Sequence, residues 1–247
     1  MAFKALLLLL VGTVAGFLNV LAGGGSFLTL SMLIFMGLPP TVANGTNRVA
    51  IFMQNIMAVK KFHEFKVFPI RFSLMVTVPA VIGSLAGAYA ATAIPDATFK
   101  KALAFIMIAI TLVTMLNPIE KLSSREISWG KGRWAIVILM FLAIGFYGGF
   151  VQAGVGFLIL SAMVVAGFDL IHGNAVKVFV ILIFTIFALV IFTIQGKANY
   201  LWGAVLGVGN VTGAYLATVT AIKKGNRFVQ KVVFVAIVIM AIKLLLS

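Results

Sequence analysis

Asn19-Val20-Leu21-Ala22-Gly23-Gly24-Gly25-Ser26, followed after a short apolar run to Gly37 by Pro39-Pro40 and Asn44-Gly45-Thr46-Asn47-Arg48, is the stretch that decides the fold. It breaks helices and carries amides, hydroxyls and a cation, yet apolar sequence surrounds it. A second copy follows downstream: Gln152-Ala153-Gly154-Val155-Gly156, a short apolar run to Gly167, then Asn174-Ala175-Val176-Lys177. Two broken, polar, positively charged segments in matching positions of two apolar halves point to a transport site.

The surroundings set the class. Apolar residues make up 63% of the 247 residues and charged residues 10%, where a soluble domain is nearer half apolar and a quarter charged. Long apolar runs recur, so the chain reads as an all-α polytopic membrane protein. A transmembrane barrel would alternate in short segments and would lack runs such as Ala102–Leu116. The net charge of +14 fits Lys and Arg gathered in cytoplasmic loops. Nucleic acid is excluded as a partner, because no extramembrane segment is large enough for a module. With no cysteine there is no disulfide framework and no thiolate metal site.

Ten apolar elements are expected. The first half holds Phe3–Ala22, Ser26–Leu38, Thr41–Val59, Val67–Ile94 and Phe99–Asn117. The second holds Arg133–Gln152, Phe157–Phe168, Ile171–Ile194, Tyr200–Ile222 and Phe228–Leu246. The opening run looks like a leader, but its pattern recurs inside the chain at Ala135–Gly156, so it is expected to be a span. The halves match residue by residue: Gly12 and Gly16 with Gly145 and Gly149, Gly37 with Gly167, Asn44 with Asn174, and Gly83 through Tyr89 with Gly209 through Tyr215. The domain reading is one repeat over 1–118, a charged cytoplasmic linker over 119–132, and a second repeat over 133–247. Gly-x-x-x-Gly pairs such as Gly83/Gly87 and Gly209/Gly213 are expected to be packing residues that let backbones approach.

Three basic clusters set the orientation: Lys60, Lys61, Lys66 and Arg71; Lys121, Arg125, Lys131 and Arg133; Lys223, Lys224, Arg227 and Lys231. The first follows the third element of its half and the last follows the fourth. All are cytoplasmic only if the repeats are inverted. Five crossings per half satisfy this, as do three crossings and a re-entrant hairpin. Either way both chain ends fall on the non-cytoplasmic side.

The candidate substrate site follows from the broken segments. Asn19, Gly23, Gly24, Gly25 and Ser26, with Asn44, Thr46, Asn47 and Arg48, are expected to form one half. Gln152, Gly154, Gly156, Asn174 and Lys177 form the other. Ser26 is read as an N-cap, and a helix N-terminus suits an anion. Arg48 and Lys177 are cations within spans, and intramembrane charges are costly and functional by default. The plain alternative is snorkelling to the headgroups. No span carries a central carboxylate, so an anion suits the site better than a cation. Asp169 is expected to cap a helix or balance Lys177. His63 and His172 are too far apart for a metal site, and hydrolase or nucleotide motifs are absent. The reading is therefore not an enzyme, with no cofactor and no metal.

These motifs, Ala22-Gly23-Gly24-Gly25-Ser26, Gly37-Leu38-Pro39, Ala43-Asn44-Gly45-Thr46-Asn47 and the copy from Gly154-Val155-Gly156 through Gly173-Asn174, resemble the TauE/SafE family of sulfite exporters, also called the 4-toluene sulfonate uptake permease family. The resemblance covers essentially the whole chain. It implies a multi-pass carrier in the inner cell membrane, with sulfite, sulfonates or related organosulfur anions as cargo. Alternating access between the repeats is the expected mechanism, with protons or another ion as a possible coupling partner. The rival readings are a passive anion channel, a non-transporting membrane subunit and an intramembrane enzyme built on His172 and Ser161.

Overall fold

In the computed structural model, residues 2–115 and 131–245 are described. Among them all regular structure is helical. The helices are α1 (Ala2–Leu21), α2 (Ser26–Phe35), α3 (Pro40–Glu64), α4 (Ile70–Ala93), α5 (Asp96–Met115), α6 (Lys131–Phe150), α7 (Val155–Val165), α8 (Leu170–Ile194) and α9 (Tyr200–Leu245). Among the described residues, four stretches are long and apolar enough to cross a membrane: α1, α4, α8 and Tyr200–Val229 of α9. Of the second cytoplasmic cluster, Lys121 and Arg125 lie outside the described residues, as does most of the expected linker.

The expected elements are present with shifted ends. α3 runs on past Val59 through Lys60 and Lys61 to Glu64. The last two expected elements are two helices that meet at a kink at Gly225, with φ 73° and ψ −176°, and are labelled together as α9. That break falls where Ile94 and Pro95 separate α4 from α5 in the first half. The same register reappears in the hydrogen bonds. The Thr41 N–H donates to Asp96 Oδ1 at the starts of α3 and α5, and the Ile171 N–H donates to Asn226 Oδ1 at the matching points of the second half.

Close backbone approaches at glycine give the helix directions. A Cβ on Gly12 would meet the Leu206 carbonyl oxygen at 2.7 Å, and one on Gly16 would strike the Asn210 backbone. Contacts therefore advance along both chains, and α1 and α9 are parallel. Gly145 lies against Ala80 and Gly149 against Ser84, so α6 and α4 are parallel in the same way. Gly203 packs on Thr46 and Val49, and Gly207 on Ala50 and Met53, which aligns α3 with α9. In α3 and α8, Gly45 meets Lys197 while Ile51 lies by Ile181, so these two run antiparallel. The first, third and long fourth elements of one half thus run opposite to their counterparts in the other. Each half packs its first helix on the fourth helix of the other. The Gly-x-x-x-Gly glycines sit at these seams, as packing residues do.

Polarity is inverted relative to a soluble protein. On α4, Leu74, Met75, Val78, Ile82 and Leu85 are exposed while Ser73, Thr77 and Ser84 are buried. An apolar outer face with a polar interior suits lipid surroundings, where polar groups must be satisfied inside the bundle. The described parts of the three basic regions lie at one end of the molecule. Lys61 sits over the Tyr215 ring, 5.4 Å from its centroid, and Phe72, next to Arg71, packs on Trp134, just after Lys131.

Candidate functional site

α1 and α6 do not run the length of the bundle. Asn19, near the end of α1, meets Gln54 of α3. From Gln54 to the end of α3 at Glu64, the rise of a helix leaves about 15 Å that α1 never covers. The chain instead turns at Gly23 (φ 94°) and returns as α2. α6 likewise stops at Phe150, turns through Gln152 (φ 66°) and Gly154 (φ 78°), and returns as α7. The two hairpin tips meet: a Cβ on Gly23 would collide with the backbone of Gly156 and Phe157. Only glycine permits that approach at a positive φ. Each hairpin turns back inside the protein, and α1 is itself long and apolar enough to cross a membrane.

The cations act across the halves. Lys177 of α8 donates to the carbonyl oxygens of Asn19 and Val20, at 2.9 and 2.6 Å, and to Asn174 Oδ1. Asn174 Nδ2 donates to the Leu21 carbonyl oxygen. Arg48 of α3 donates to the Gly149 carbonyl oxygen and lies over the Phe192 ring, and Asn44 Nδ2 donates to the Phe150 carbonyl oxygen at 2.8 Å. Each half therefore contributes one Asn and one cation that cap the last turn of the other half's broken helix. A helix C-terminus presents unpaired carbonyls and partial negative charge, which a cation offsets. Arg48 is 0% exposed and Lys177 1%, so neither snorkels.

Between the tips lies a small cavity with room for about one water molecule, lined by polar and apolar residues together. Six expected residues line it: Asn19, Gly23, Ser26, Gln152, Gly156 and Lys177. The other expected residues lie around it. Asn47 Oδ1 accepts from the Thr29 hydroxyl at 2.7 Å, and the Thr46 hydroxyl oxygen accepts from the Asn199 N–H at 2.9 Å. Asn44, Asn174 and Arg48 make the caps described above, so Arg48 serves α6 rather than the Gly23–Ser26 segment. Gly24 and Gly25 continue the first turn, with Gly25 against Ala15, and Gly154 is the left-handed residue before α7. Ser26 is not the cap of α2. Gly25 takes that position, and the Ser26 N–H is satisfied by Asn19 Oδ1 at 2.8 Å.

Gln54 and Asn55 of α3, with Ile51, Val155 and Ile181, also line the cavity. The sequence reading missed the two amides. Their signal is an adjacent amide pair inside the apolar run Val49–Val59, costly unless it faces a polar partner. None of the lining residues is acidic. Asp169 stands apart as the N-cap of α8, accepting from the Ile171 and His172 N–H groups at 2.8 and 3.0 Å. Burial pushes its carboxyl up, but the His172 backbone and ring and the Ile171 N–H outweigh that and hold it below the ordinary aspartate value. Asp169 thus caps a helix, and its side-chain partner is His172, whose Nδ1 lies 2.7 Å from Oδ2. Among the described residues no cluster of His, Cys, Asp or Glu could hold a metal ion.

The chain is similar over nearly its whole length to curated proteins. It is 27% identical to a probable membrane transporter protein of Haemophilus influenzae, over 96% of this chain and 93% of the relative. It is 26% identical to the probable membrane transporter protein ORF9 of a Sinorhizobium species, over 99% of this chain and 94% of the relative. It is also 26% identical to the probable membrane transporter protein YfcA of Escherichia coli K12, over 96% and 88%. No solved structure gives a significant match. The sequence model of the sulfite exporter TauE/SafE family matches residues 8–244. With its spanning helices and its polar interior, the chain is a multi-pass membrane protein that belongs to the TauE/SafE family of membrane transporters, not to an enzyme family.

Proposed function

We propose that the protein is a secondary carrier of small anions, with sulfite, sulfonates or other organosulfur anions as cargo. The observation that carries this reading is the junction of the two hairpin tips. Ser26 opens α2 and Val155 and Gly156 open α7, so two helix N-termini and the buried Lys177 border one cavity. Helix N-termini, and a cation with no carboxylate beside it, attract negative charge. The family description, which names sulfite, supports the cargo class.

The mechanism is alternating access, with the repeats over 1–118 and 133–247 rocking about the tips. The cavity has less room than a sulfite ion needs, so binding requires the tips to part. The inner membrane is the proposed location, with the basic end in the cytoplasm. Protons or another ion drive the cycle.

Proteoliposome uptake tests the reading with sulfite, sulfate, thiosulfate, sulfoacetate, taurine, chloride and acetate. Saturable movement of a sulfur anion, accelerated by the same anion on the far side, is expected. Conductive movement without that acceleration would make the protein a channel, and no movement of any anion would remove the carrier reading.

A further inference from the structure

Amide side chains beside the cavity form a hydrogen-bonded chain whose direction is fixed at one end. The Ser26 backbone N–H meets Asn19 Oδ1 at 2.8 Å. A backbone N–H can only donate, so the oxygen of the Asn19 amide faces Ser26 and its nitrogen faces Gln54. Asn19 Nδ2 donates to Gln54 Oε1 at 3.2 Å, and Asn210 Nδ2 of α9 donates to the same oxygen at 3.2 Å. Two donors on one oxygen turn the nitrogen of Gln54 toward Asn55, whose Oδ1 accepts from it at 3.4 Å. The chain ends on Asn55 Nδ2. That nitrogen is buried with no protein partner, and the residue is 1% exposed at the cavity wall.

A buried amide N–H without an acceptor is costly, and native proteins retain such groups where something else satisfies them. The polarity here cannot be reversed without reversing every amide back to the Ser26 backbone. The cavity thus presents an unpaired donor at Asn55, an unpaired acceptor at Gln152 Oε1 and one cation at Lys177, with no carboxylate in its lining.

We infer that Asn55 is an anion-binding residue, whose Nδ2 donates to an oxygen of a small, singly charged oxyanion while Lys177 supplies the counter-charge. This deepens the anion-carrier reading and rests on it. Single charge follows because Lys177 is the one charged residue in the lining, and a second negative charge on the ligand would be buried with no counter-charge, which is unfavourable. Oxyanion character follows because a directional N–H donor rewards an oxygen lone pair.

The test is sulfite titration of the purified protein at mildly acidic pH, where singly charged hydrogen sulfite is the main species, read as the rise in melting temperature, together with sulfite counterflow in proteoliposomes at the same pH. Wild type is compared with Asn55→Asp, Asn55→Leu and Asn55→Ser. Aspartate keeps the shape but replaces the donor with negative charge, leucine removes the donor, and serine keeps a shorter one. A hydrogen bond to a charged group corresponds to about ten- to a hundredfold in affinity. The expected result is a loss of that size in half-saturating sulfite for Asn55→Leu, no saturation for Asn55→Asp, and an intermediate value for Asn55→Ser. Should Asn55→Leu fail to fold, the aspartate and serine variants carry the comparison. If wild type saturates with sulfite and the folded Asn55 variants saturate at the same concentration, the Asn55 assignment is overturned while the carrier reading stands. If wild type is neither stabilised nor crossed by any anion of the panel, the carrier reading falls and takes Asn55 with it.

Discussion

Lys177 Nζ donates to the Val20 carbonyl oxygen at 2.6 Å, so a cation of the second half completes the last turn of a helix in the first. The same ammonium group borders the cavity. It therefore couples the end of α1 to whatever occupies the space between the tips. Lys177→Gln shortens the side chain and leaves the carbonyls of Asn19 and Val20 without a cation. A cation at a partly buried helix C-terminus contributes up to about 2 kcal/mol, so the variant is expected to melt lower by that order. Sulfite counterflow should show a raised half-saturation concentration as well. A Lys177→Gln protein with wild-type half-saturation would make Lys177 a structural cap only.

Arg48 predicts a different kinetic signature. It caps α6 through the Gly149 carbonyl oxygen but does not line the cavity. Arg48→Gln should therefore lower the maximum rate, by loosening the α6–α7 tip, more than it alters half-saturation. Initial counterflow rates over a range of sulfite concentrations separate the two. A rise in half-saturation matching that of Lys177→Gln would move Arg48 into direct contact with substrate. Arg48→Lys retains a donor for Gly149 and should recover part of the rate, although a point charge replaces the planar fork.

Gly16 tests the seam between the halves. A Cβ there would strike backbone atoms of Asn210, which cannot swing aside as a flexible side-chain tip can. Gly16→Ala is expected to cost about 1–3 kcal/mol, as overpacking does in a close-packed interior. Gly149→Ala, against Ser84 in the other half, should cost a similar amount. Melting of the purified variants measures both. Gly132, whose added Cβ meets nothing within 4 Å, is the control and should tolerate alanine.

Much of this architecture is legible in the sequence, and the parts that are not share a physical reason. Gly23-Gly24-Gly25 and Gly154-Val155-Gly156 announce themselves because helix breakers in apolar surroundings need a special explanation. The glycine pairs at four-residue spacing are equally plain. What the sequence does not display is exchange. Asn44 and Arg48 follow the Gly23 tip in the chain, yet they cap α6, more than a hundred residues away. Proximity along the chain groups them with the wrong hairpin. Gln54 and Asn55 escape notice because they sit in mid-helix without a glycine or proline beside them. Asn210 reads as part of a packing motif, although its side chain donates to the same Gln54 oxygen as Asn19.

Asp96 gives the last prediction, at the end of the molecule away from the basic clusters. Its Oδ1 accepts from both the N–H and the hydroxyl of Thr41, at 3.0 and 2.6 Å, tying the start of α5 to the start of α3. The Thr41 hydroxyl foremost, aided by the Thr41 N–H and the charge of Lys197, outweighs burial and holds the carboxyl below its ordinary value of 3.8. A carboxylate with a depressed folded value binds fewer protons folded than unfolded. Its contribution is thus fully present above the ordinary value and is lost as pH falls through the folded one. Melting temperature should therefore decline on acidification from about pH 4 downward, and Asp96→Asn should flatten that decline. The variant should also melt lower at neutral pH, because an amide oxygen accepts more weakly than a carboxylate. Asp96 is solvent-exposed, so the neutral-pH effect should be small, within about 1 kcal/mol. An acid profile identical in wild type and Asp96→Asn would show that the Thr41 clamp contributes nothing to the pH dependence.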